Sequence, residues 1–295
     1  MLVKINNADG KGCSQSARPQ VGLDQADIVI EEEVEGGITR FMAAFQSVIP
    51  ETVGPVRSAR SSDIDLLLTF NKPLFAWSGN NGNVKAELNG IGDQYVAVGH
   101  SSAAGSHFYR DNTGGRCAPS NLFVHPAELY DFAQGNGNPA TPVFEYQGEG
   151  EAIAATAPPV AGVKLNTALD TAYVWNATTA TWDRYQKRTK HVVVGDVPIS
   201  PNNVVILDVP YRGSSTAGSP EAVTVGTGAA HVYMGGKVVD GTWKKDTPQA
   251  PWTLVDNAGA PIKLTPGRTW VQLARDSNGP PTNLDAAGVA PYTGA

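Results

Sequence analysis

Acidic residues of the type that act in acid–base chemistry are concentrated in the stretch IVIEEEVEGGITRF, residues 28–41. Three glutamates stand in a row there, with apolar residues and a Gly-Gly pair around them. Glycan hydrolysis needs a carboxylic acid that protonates a leaving oxygen, often with a second carboxylate nearby. Glu31 could therefore belong to a catalytic wall. The alternative is a solvated outer face of a sheet, which requires no function.

The elements that would position these acids are predicted to be two strands, residues 27–34 and 38–46, joined by a two-residue turn at Gly36-Gly37. Side chains alternate between the two faces of a strand. In this register Glu33 faces Arg40, and Glu31 faces Met42. The predicted polar face carries Glu31, Glu33, Glu35 and Arg40. The predicted apolar face carries Ile28, Ile30, Val34, Phe41, Ala43 and Phe45, with Glu32 and Thr39.

Two arginines, Arg57 and Arg60, lie just before a predicted helix whose first turn holds Asp65. Guanidinium groups beside a helix N-terminus form a site for anions. Asp65 is also the predicted carboxylate partner of Glu31, because Glu35 lies about 13 Å from Glu31 along the strand. The simpler alternative is that both arginines only pair with the glutamates.

A later loop, SHFYRDNTGGRCAPSN, adds further polar candidates, namely Arg110, Arg116 and Asn121. Loops carry binding residues more often than strands do. Nearby arginines oppose the raised pKa that a general acid needs. The composition of this half of the chain therefore keeps two hypotheses open, a glycan-acting enzyme and a non-catalytic binder of an anionic group.

Several function classes are disfavoured by the sequence. The chain has 295 residues, 41% hydrophobic and 17% charged, with net charge −6 and no dense Lys/Arg tract, which disfavours nucleic-acid binding. No run of 18 apolar residues occurs, and no hydrophobic signal core opens the chain. Any membrane attachment would therefore require a lipid anchor outside this sequence. The five histidines lack metal-ligand spacing and no phosphate loop is present, so no metal or cofactor is expected.

Weaker signals remain open or are disfavoured. Cys13 and Cys117 are predicted either to form one disulfide, as in an oxidising compartment, or to be buried thiols. GHSSAAG around Ser101 fails the GxSxG pattern of a serine hydrolase. Aromatic residues of the segment 171–186 are interpreted as cross-strand packing rather than sugar stacking.

The organisation of the chain predicts an α+β protein. Residues 1–140 mix strands and helices and form an N-terminal α/β domain with a cleft lined by Arg, Glu and Asp. A Gly-, Pro- and Ala-rich segment around 136–160 is a predicted linker. Residues 160–275 form a β-rich C-terminal domain, and residues 276–295 a poorly ordered tail or a surface wrap.

Three strings together resemble the YerB-like lipoprotein family of bacterial envelopes: ARPQVGLDQADIVIEEEVEGGITRFMAAFQS, ETVGPVRSAR and FYRDN with RCAPSNLF. The resemblance extends more weakly through WDRYQKRTKH and GKVVDGTWKK, and so covers most of the chain. It implies an α/β N-terminal part, a β-rich C-terminal part and an extracytoplasmic location, secreted or lipid-anchored, in Gram-positive bacteria. The family is described as having no known function.

Carried over by motif, the resemblance singles out Glu31, Glu35 and Arg40, shares Asp65 as well, and leaves Glu33 as a local partner of Arg40. The other polar positions it shares are Arg18, Gln20, Asp27, Thr39, Arg57, Ser58, Arg60, Arg110, Arg116 and Asn121. One departure is Ser120, where relatives tend to carry histidine. The sequence therefore predicts catalytic Glu31 and Asp65, or a ligand site of Glu35, Arg40, Arg57, Arg60, Arg110, Arg116 and Asn121. The expected partner is a cell-wall glycan or an anionic envelope polymer.

Overall fold

Ten strands from both halves of the chain form one sheet in the computed structural model, which describes residues 1–15, 17–213 and 220–294. In order across the sheet they are β19 (Thr253–Asp256), β18 (Lys237–Lys245), β17 (Gly226–Met234), β14 (Asn203–Val209), β20 (Thr269–Arg275), β2 (Ile28–Glu33), β3 (Thr39–Ala44), β1 (Leu2–Asn6), β4 (Leu74–Ala76) and β5 (Val96–Ala97). β2 pairs in parallel with β20 and antiparallel with β3. The beginning and the end of the chain therefore meet in the middle of the sheet.

A second sheet of five strands covers part of the first. Its strands, in order, are β11 (Thr189–Lys190), β10 (Thr181–Gln186), β9 (Thr171–Asn176), β8 (Gly162–Lys164) and β21 (Thr282–Leu284). Two-stranded ribbons pair β6 (Phe108–Arg110) with β7 (Leu122–Val124), β12 (Val192–Val193) with β13 (Val197–Pro198), and β15 (Tyr211–Arg212) with β16 (Glu221–Ala222). The α-helices within the described ranges are α1 (Ser62–Thr69), α2 (Gly82–Gly90), α3 (Pro126–Ala133) and α4 (Ala286–Thr293).

Both faces of the ten-stranded sheet are buried at β2 and β3. On one face Ile30 and Met42 belong to the same apolar cluster as Leu66 of α1. On the other, Val29 and Phe41 belong to a cluster with aromatic residues of the five-stranded sheet. Burial on both faces explains why the apolar residues here do not alternate cleanly with polar ones. The predicted α+β class is confirmed.

The predicted register of the acidic hairpin is wrong by one residue. Glu35–Gly37 form a three-residue turn, with φ of 76° at Gly36 and 68° at Gly37, values that glycine adopts without steric cost. Glu31 therefore pairs with Phe41 and not with Met42. Because the side-chain period of a strand is two, this shift transfers Glu31 to the face of Phe41.

The shift also changes the partner of Arg40. Arg40 pairs with Glu32 instead of Glu33, and both lie on the face toward α1. Glu33 instead bonds Arg275 of β20, with a nitrogen–oxygen distance of 2.8 Å. The predicted single polar face is thus divided between the two sides of the sheet.

The C-terminal segment packs on the rest of the fold, and the two predicted domains share one sheet. In the described part of the C-terminal segment, to residue 294, β21 pairs with β8, and Val289 and Tyr292 of α4 pack on the five-stranded sheet. The domain boundaries near residues 140 and 160 stay a prediction. The ten-stranded sheet contains strands from both sides of these boundaries. None of the described helices combines the length and the apolar character needed to cross a membrane.

Candidate functional site

The predicted catalytic pair lies on opposite faces of the ten-stranded sheet. Glu31 faces the five-stranded sheet, since its partner Phe41 belongs to that apolar cluster. Asp65 is half-buried on α1, whose apolar residues pack on the other face. The sheet therefore separates Glu31 from Asp65, and the structure does not bring the two carboxylates together.

Glu31 is a fully hydrogen-bonded carboxylate at the centre of a buried network. Arg184 Nη2 donates to both oxygens, at 2.9 and 3.0 Å. Thr39 Oγ1 donates at 2.7 Å, Trp270 Nε1 at 3.0 Å and Gln272 Nε2 at 2.5 Å. Glu31 is 1% exposed and Arg184 is 0% exposed. Both oxygens of Glu31 are therefore occupied by donors of the protein itself, a guanidinium and three further groups.

The other terminal nitrogen of Arg184, Nη1, also has a hydrogen-bond partner. Its Nη1 lies 2.8 Å from His191 Nδ1, and His191 Nε2 lies 2.8 Å from Gln20 Oε1. Burial, with the positive charges of Arg184 and Arg18, lowers the pKa of His191 well below 6.5. His191 is therefore neutral, accepts from Arg184 and donates to Gln20. The seven residues joined by these hydrogen bonds are called the Glu31–Arg184 network below: Gln20, Glu31, Thr39, Arg184, His191, Trp270 and Gln272.

The sequence singles out only Gln20, Glu31 and Thr39 of this network. Arg184 lies 153 residues from Glu31 along the chain, and Gln272 lies 241 residues from it, so no local spacing links them. The one signal was the charged residue Arg184 within the aromatic strand segment TWDRYQ, β10. A charge at a core-facing strand position requires a buried partner.

The opposite face of the hairpin carries three arginines, Arg40, Arg57 and Arg60, called the arginine cluster below. Arg60 donates through Nε and Nη2 to Glu35 Oε2, at 3.0 and 2.7 Å. Arg40 donates through Nη1 to the Ser58 carbonyl at 2.9 Å. The predicted ligand residues Glu35, Arg40, Arg57 and Arg60 are thus brought together at the start of α1.

Arg57 is the least satisfied member of the arginine cluster. No described residue hydrogen-bonds to its guanidinium, and its Nε is buried. Burial and then the charge of Arg60 lower the pKa of Arg57. Burial, followed by repulsion from Arg60 and Arg57, lowers the pKa of Arg40 to about 9. For Arg40 and Arg57, repulsion from the neighbouring arginines therefore lowers the pKa more than Glu35 raises it.

A buried lysine behind the cluster uses two of the available carboxylates. Lys4 Nζ contacts Glu32 and lies 2.6 Å from Asp63 Oδ1, and all three residues are at most 1% exposed. Asp63 Oδ2 also accepts the Arg60 backbone N–H at 2.8 Å. Burial raises the pKa of Asp63 to about 6.

The charges on this face of the hairpin do not cancel. Among the described residues, the charged groups that act on Arg40 and Arg57, or that form ion pairs with those groups, are the cations Lys4, Arg40, Arg57 and Arg60 and the anions Glu32, Glu35 and Asp63; Asp65 of α1 is not one of them. Even with every carboxylate ionised, four positive groups face three negative ones. The arginine cluster therefore has an uncompensated positive charge.

The remaining predicted ligand residues lie in a separate loop. Arg110 Nη1 donates to Asn121 Oδ1 at 2.6 Å, while Arg116 donates to the carbonyls of Thr113 and Pro19. A disulfide between Cys13 and Cys117 ties this loop to the N-terminal segment, with a Cα–Cα distance of 5.1 Å. Among the described residues, no hydrogen bond or ion pair connects Arg110, Arg116 or Asn121 to the arginine cluster.

A cavity of about 260 Å³ lies beside the Glu31–Arg184 network. Its lining comes from the hairpin, from the segment 165–169 and from the end of β20: Glu31, Glu32, Glu33, Gly37, Thr39, Leu165, Asn166, Thr167, Ala168, Leu169, Gln272, Leu273, Ala274, Arg275 and Asn278. Within the described ranges, no three His, Cys, Asp or Glu side chains are grouped so as to hold a metal ion.

Comparison with known proteins places most of the chain in one family. Residues 1–139 match the N-terminal domain, and residues 161–271 the C-terminal domain, of a family described as a protein of unknown function, DUF3048. The chain is 28% identical over 294 residues to a Bacillus subtilis protein named "Putative lipoprotein YerB", covering 93% of this chain and 80% of that protein. It is also similar to the crystal structure of YerB protein from Bacillus subtilis, with a TM-score of 0.75, 25% identity, and coverage of 92% of this chain and 89% of that one. The resemblance seen in the sequence is confirmed: the chain belongs to the YerB-like family of DUF3048 proteins.

Proposed function

We propose that this chain is a non-catalytic binding protein of the bacterial cell envelope, and that it holds an anionic group of an envelope polymer or peptide in the arginine cluster. The observation that carries the proposal is the uncompensated positive charge there, centred on Arg57. A partly buried guanidinium without a partner is costly, and a bound anion would remove that cost. Nucleic acid is not the proposed partner, because no basic tract accompanies the cluster.

The type of residue in the cluster favours phosphate or carboxylate as the group bound. A guanidinium presents its N–H donors in a planar fork that matches both groups bidentately. The cluster also adjoins the first turn of α1, where Ser61 makes no capping hydrogen bond through its side chain. The dipole of α1 favours negative charge at this end of the helix.

The proposed location outside the cytoplasm has two supports. The relative from Bacillus subtilis is named a lipoprotein, which suggests attachment to the membrane by a lipid anchor. The Cys13–Cys117 disulfide is typical of an oxidising compartment.

The second candidate function is an enzyme that acts on a glycan such as peptidoglycan, with Glu31 as the catalytic carboxylate. The observation in its favour is that Glu31 lines a cavity. Two observations oppose it: Glu31 is bonded to Arg184, and Asp65 lies on the other face of the sheet. Carboxylates held by arginines favour binding or structure over general acid catalysis.

Binding is tested with the variant Arg57→Gln and an anionic wall polymer such as purified teichoic acid. We expect sedimentation with the polymer to weaken at least tenfold, because a charge-assisted hydrogen bond contributes roughly 1.5–3 kcal/mol. Arg268→Gln is the matched control. Arg268 is exposed, and its substitution removes the same charge at a position away from the cluster. Equal weakening in the two variants, or no binding by the wild type to the polymer or to inorganic phosphate, would contradict the proposal.

Catalysis is tested on purified peptidoglycan with the wild type, Glu31→Gln and Asp65→Asn. The binding proposal expects no soluble muropeptides from any of the three proteins. Release by the wild type that is lost in both folded variants would instead establish the enzyme. Circular dichroism spectra of the variants check that a loss of activity is not a loss of folding.

A further inference from the structure

A cavity of about 400 Å³ lies at the end of β1, β2 and β3 that is opposite the turn of the acidic hairpin. Leu2 and Ile28, the first residues of β1 and β2, line it together with Ala44, the last residue of β3, with which both of them pair. Arg40 of the arginine cluster pairs with Asn6, at the other end of β1. The cavity is therefore separate from the arginine cluster, and its volume is within the roughly 300–1,000 Å³ of small-molecule sites.

The segment 138–142 marks the side on which this cavity meets solvent, because its residues are exposed and also line the cavity. It belongs to the Gly-, Pro- and Ala-rich segment that the sequence predicts as a linker. The Asn138 backbone N–H donates to the Lys72 carbonyl at 3.2 Å, and Asn71 Nδ2 donates to the Pro139 carbonyl at 2.9 Å. These bonds hold the segment against the turn before β4, so that it forms one wall of the cavity.

The rest of the wall is mainly apolar and partly aromatic. The aromatic side chains that line it are those of Phe45, Phe70, Tyr130 and Tyr146. Such rings bury large apolar area, and they also attract organic cations. The wall therefore suits the apolar body of a small molecule and accepts positive charge on it.

Asp27 has the only charged side chain among the described residues that line the cavity. Its Oδ2 accepts the backbone N–H groups of Gln46 at 2.6 Å and of Ser47 at 2.9 Å, and its Oδ1 accepts the Ser47 hydroxyl. No described Lys, Arg or His side chain forms an ion pair with it. A carboxylate has about four acceptor positions, so Asp27 has room for one more donor.

The charge of Asp27 acts on groups inside the cavity. Burial, and after it the charge of Asp27, raises the pKa of Tyr130. Burial raises the pKa of Tyr146, and Asp27 adds to that shift. Burial also lowers the pKa of the Met1 amino group to about 6, so this group is mostly uncharged at neutral pH and does not offset Asp27. Within the described residues, the cavity thus has a negative charge and no cation to balance it.

We propose that this cavity binds a small amphiphilic amine, with its apolar body among the aromatic rings and its ammonium group beside the Asp27 carboxylate. The apolar wall accounts for the body of the ligand, and the unbalanced charge of Asp27 accounts for its sign. This site is independent of the proposed function, because the ligand has the opposite charge and no residue of the arginine cluster lines the cavity.

The inference is tested by titration calorimetry at neutral pH with three probes of one scaffold: 4-phenylbutylamine, 4-phenylbutanol and 4-phenylbutyrate. We expect the amine to bind at least about tenfold more tightly than the alcohol, because its contact with Asp27 is charge-assisted, and the carboxylate to bind most weakly. Asp27→Asn should abolish the preference for the amine while the affinity for the alcohol is kept. Asp24→Asn, which removes a carboxylate that does not line the cavity, is the matched control and should keep the preference.

A second pair of variants tests the cavity even if Asp27→Asn does not fold. Ala140→Trp puts a large side chain into the exposed segment 138–142 and should weaken the amine and the alcohol alike. Ala258→Trp, at an exposed turn elsewhere, is its matched control and should leave both affinities unchanged.

Several outcomes would overturn the inference without bearing on the arginine cluster. Equal binding of the amine and the alcohol by the wild type would remove the role of Asp27. Tightest binding of the alcohol or the carboxylate would identify a ligand of another class. A preference for the amine that survives in Asp27→Asn would contradict the proposal as well, and so would failure of all three probes to bind.

Discussion

The Glu31–Arg184 network and the arginine cluster lie on opposite faces of the same two strands, and both hold charge that is largely removed from water. In the network each charged group has its counterpart, since Arg184 bonds both oxygens of Glu31. In the cluster three guanidinium groups share fewer carboxylates, and Arg57 has no hydrogen-bond partner among the described residues.

The difference between the two regions separates a structural role from a binding role. A buried ion pair with all its hydrogen bonds made is stable as it stands, and breaking one side of it is costly. An excess of like charge destabilises the folded chain until a ligand of opposite charge binds. We therefore expect the network to respond to mutation through stability and the cluster to respond through affinity.

The largest effect is expected from Arg184→Met, which would leave Glu31 buried without a cation. The free energy of unfolding should fall by roughly 3–5 kcal/mol, measured by urea denaturation followed by circular dichroism. The double variant Glu31→Leu with Arg184→Met should recover part of this loss, because no charge remains unpaired. A loss below about 1 kcal/mol in the single variant would contradict the structural role of the network.

The next effect comes from Asp63, which borders the arginine cluster. Burial raises the pKa of Asp63 from 3.8 to about 6. The protonated carboxyl is favoured in the folded state, so its stabilisation is complete below pH 3.8 and is lost as the pH rises toward 6. This loss amounts to roughly 3 kcal/mol. Asp63→Asn should flatten the stability profile between pH 4 and 6, and an unchanged slope in urea titrations would refute the assignment.

His191 in the network should give a slope of the opposite sign. Its pKa is lowered below 6.5 by burial and by Arg184, so its contribution is complete above pH 6.5. That contribution is lost as the pH falls from 6.5 toward the lowered pKa, by at most about 1.4 kcal/mol per pH unit. His191→Gln keeps an acceptor and a donor and should remove this acid-side loss. The same pH series of urea titrations measures it, and a profile identical to that of the wild type would show that His191 does not titrate differently on unfolding.

The smallest stability change is expected from Arg57→Met. Arg57 lacks a hydrogen-bond partner among the described residues, and it is one of three cations that repel one another. Its removal should therefore change the free energy of unfolding by less than about 0.5 kcal/mol, or raise it. The same variant should lose affinity for phosphate in titration calorimetry. A large loss of stability in Arg57→Met would show that the arginine cluster has a structural role, as the Glu31–Arg184 network does.

The sequence was sufficient to predict the two strands of the hairpin and the grouping of Glu35, Arg40, Arg57 and Arg60, because these residues lie within one short stretch. It could not predict which face Glu31 occupies. The turn has three residues instead of two, and a one-residue shift exchanges the faces of a strand. The partners of Glu31 lie 153 to 241 residues away, and no local pattern reports on contacts of that separation.

The position of β20 has a consequence for the order in which the chain can fold. β20 lies between β14 and β2, and both of those strands precede it in the chain. Until residues 269–275 are available, the other nine strands of the sheet remain two pieces, each with an unpaired edge next to the missing strand. Contacts across such separations form slowly, because a long loop must close first. A chain threaded through a membrane from its N-terminus would therefore complete its central sheet only after residues 269–275 had crossed.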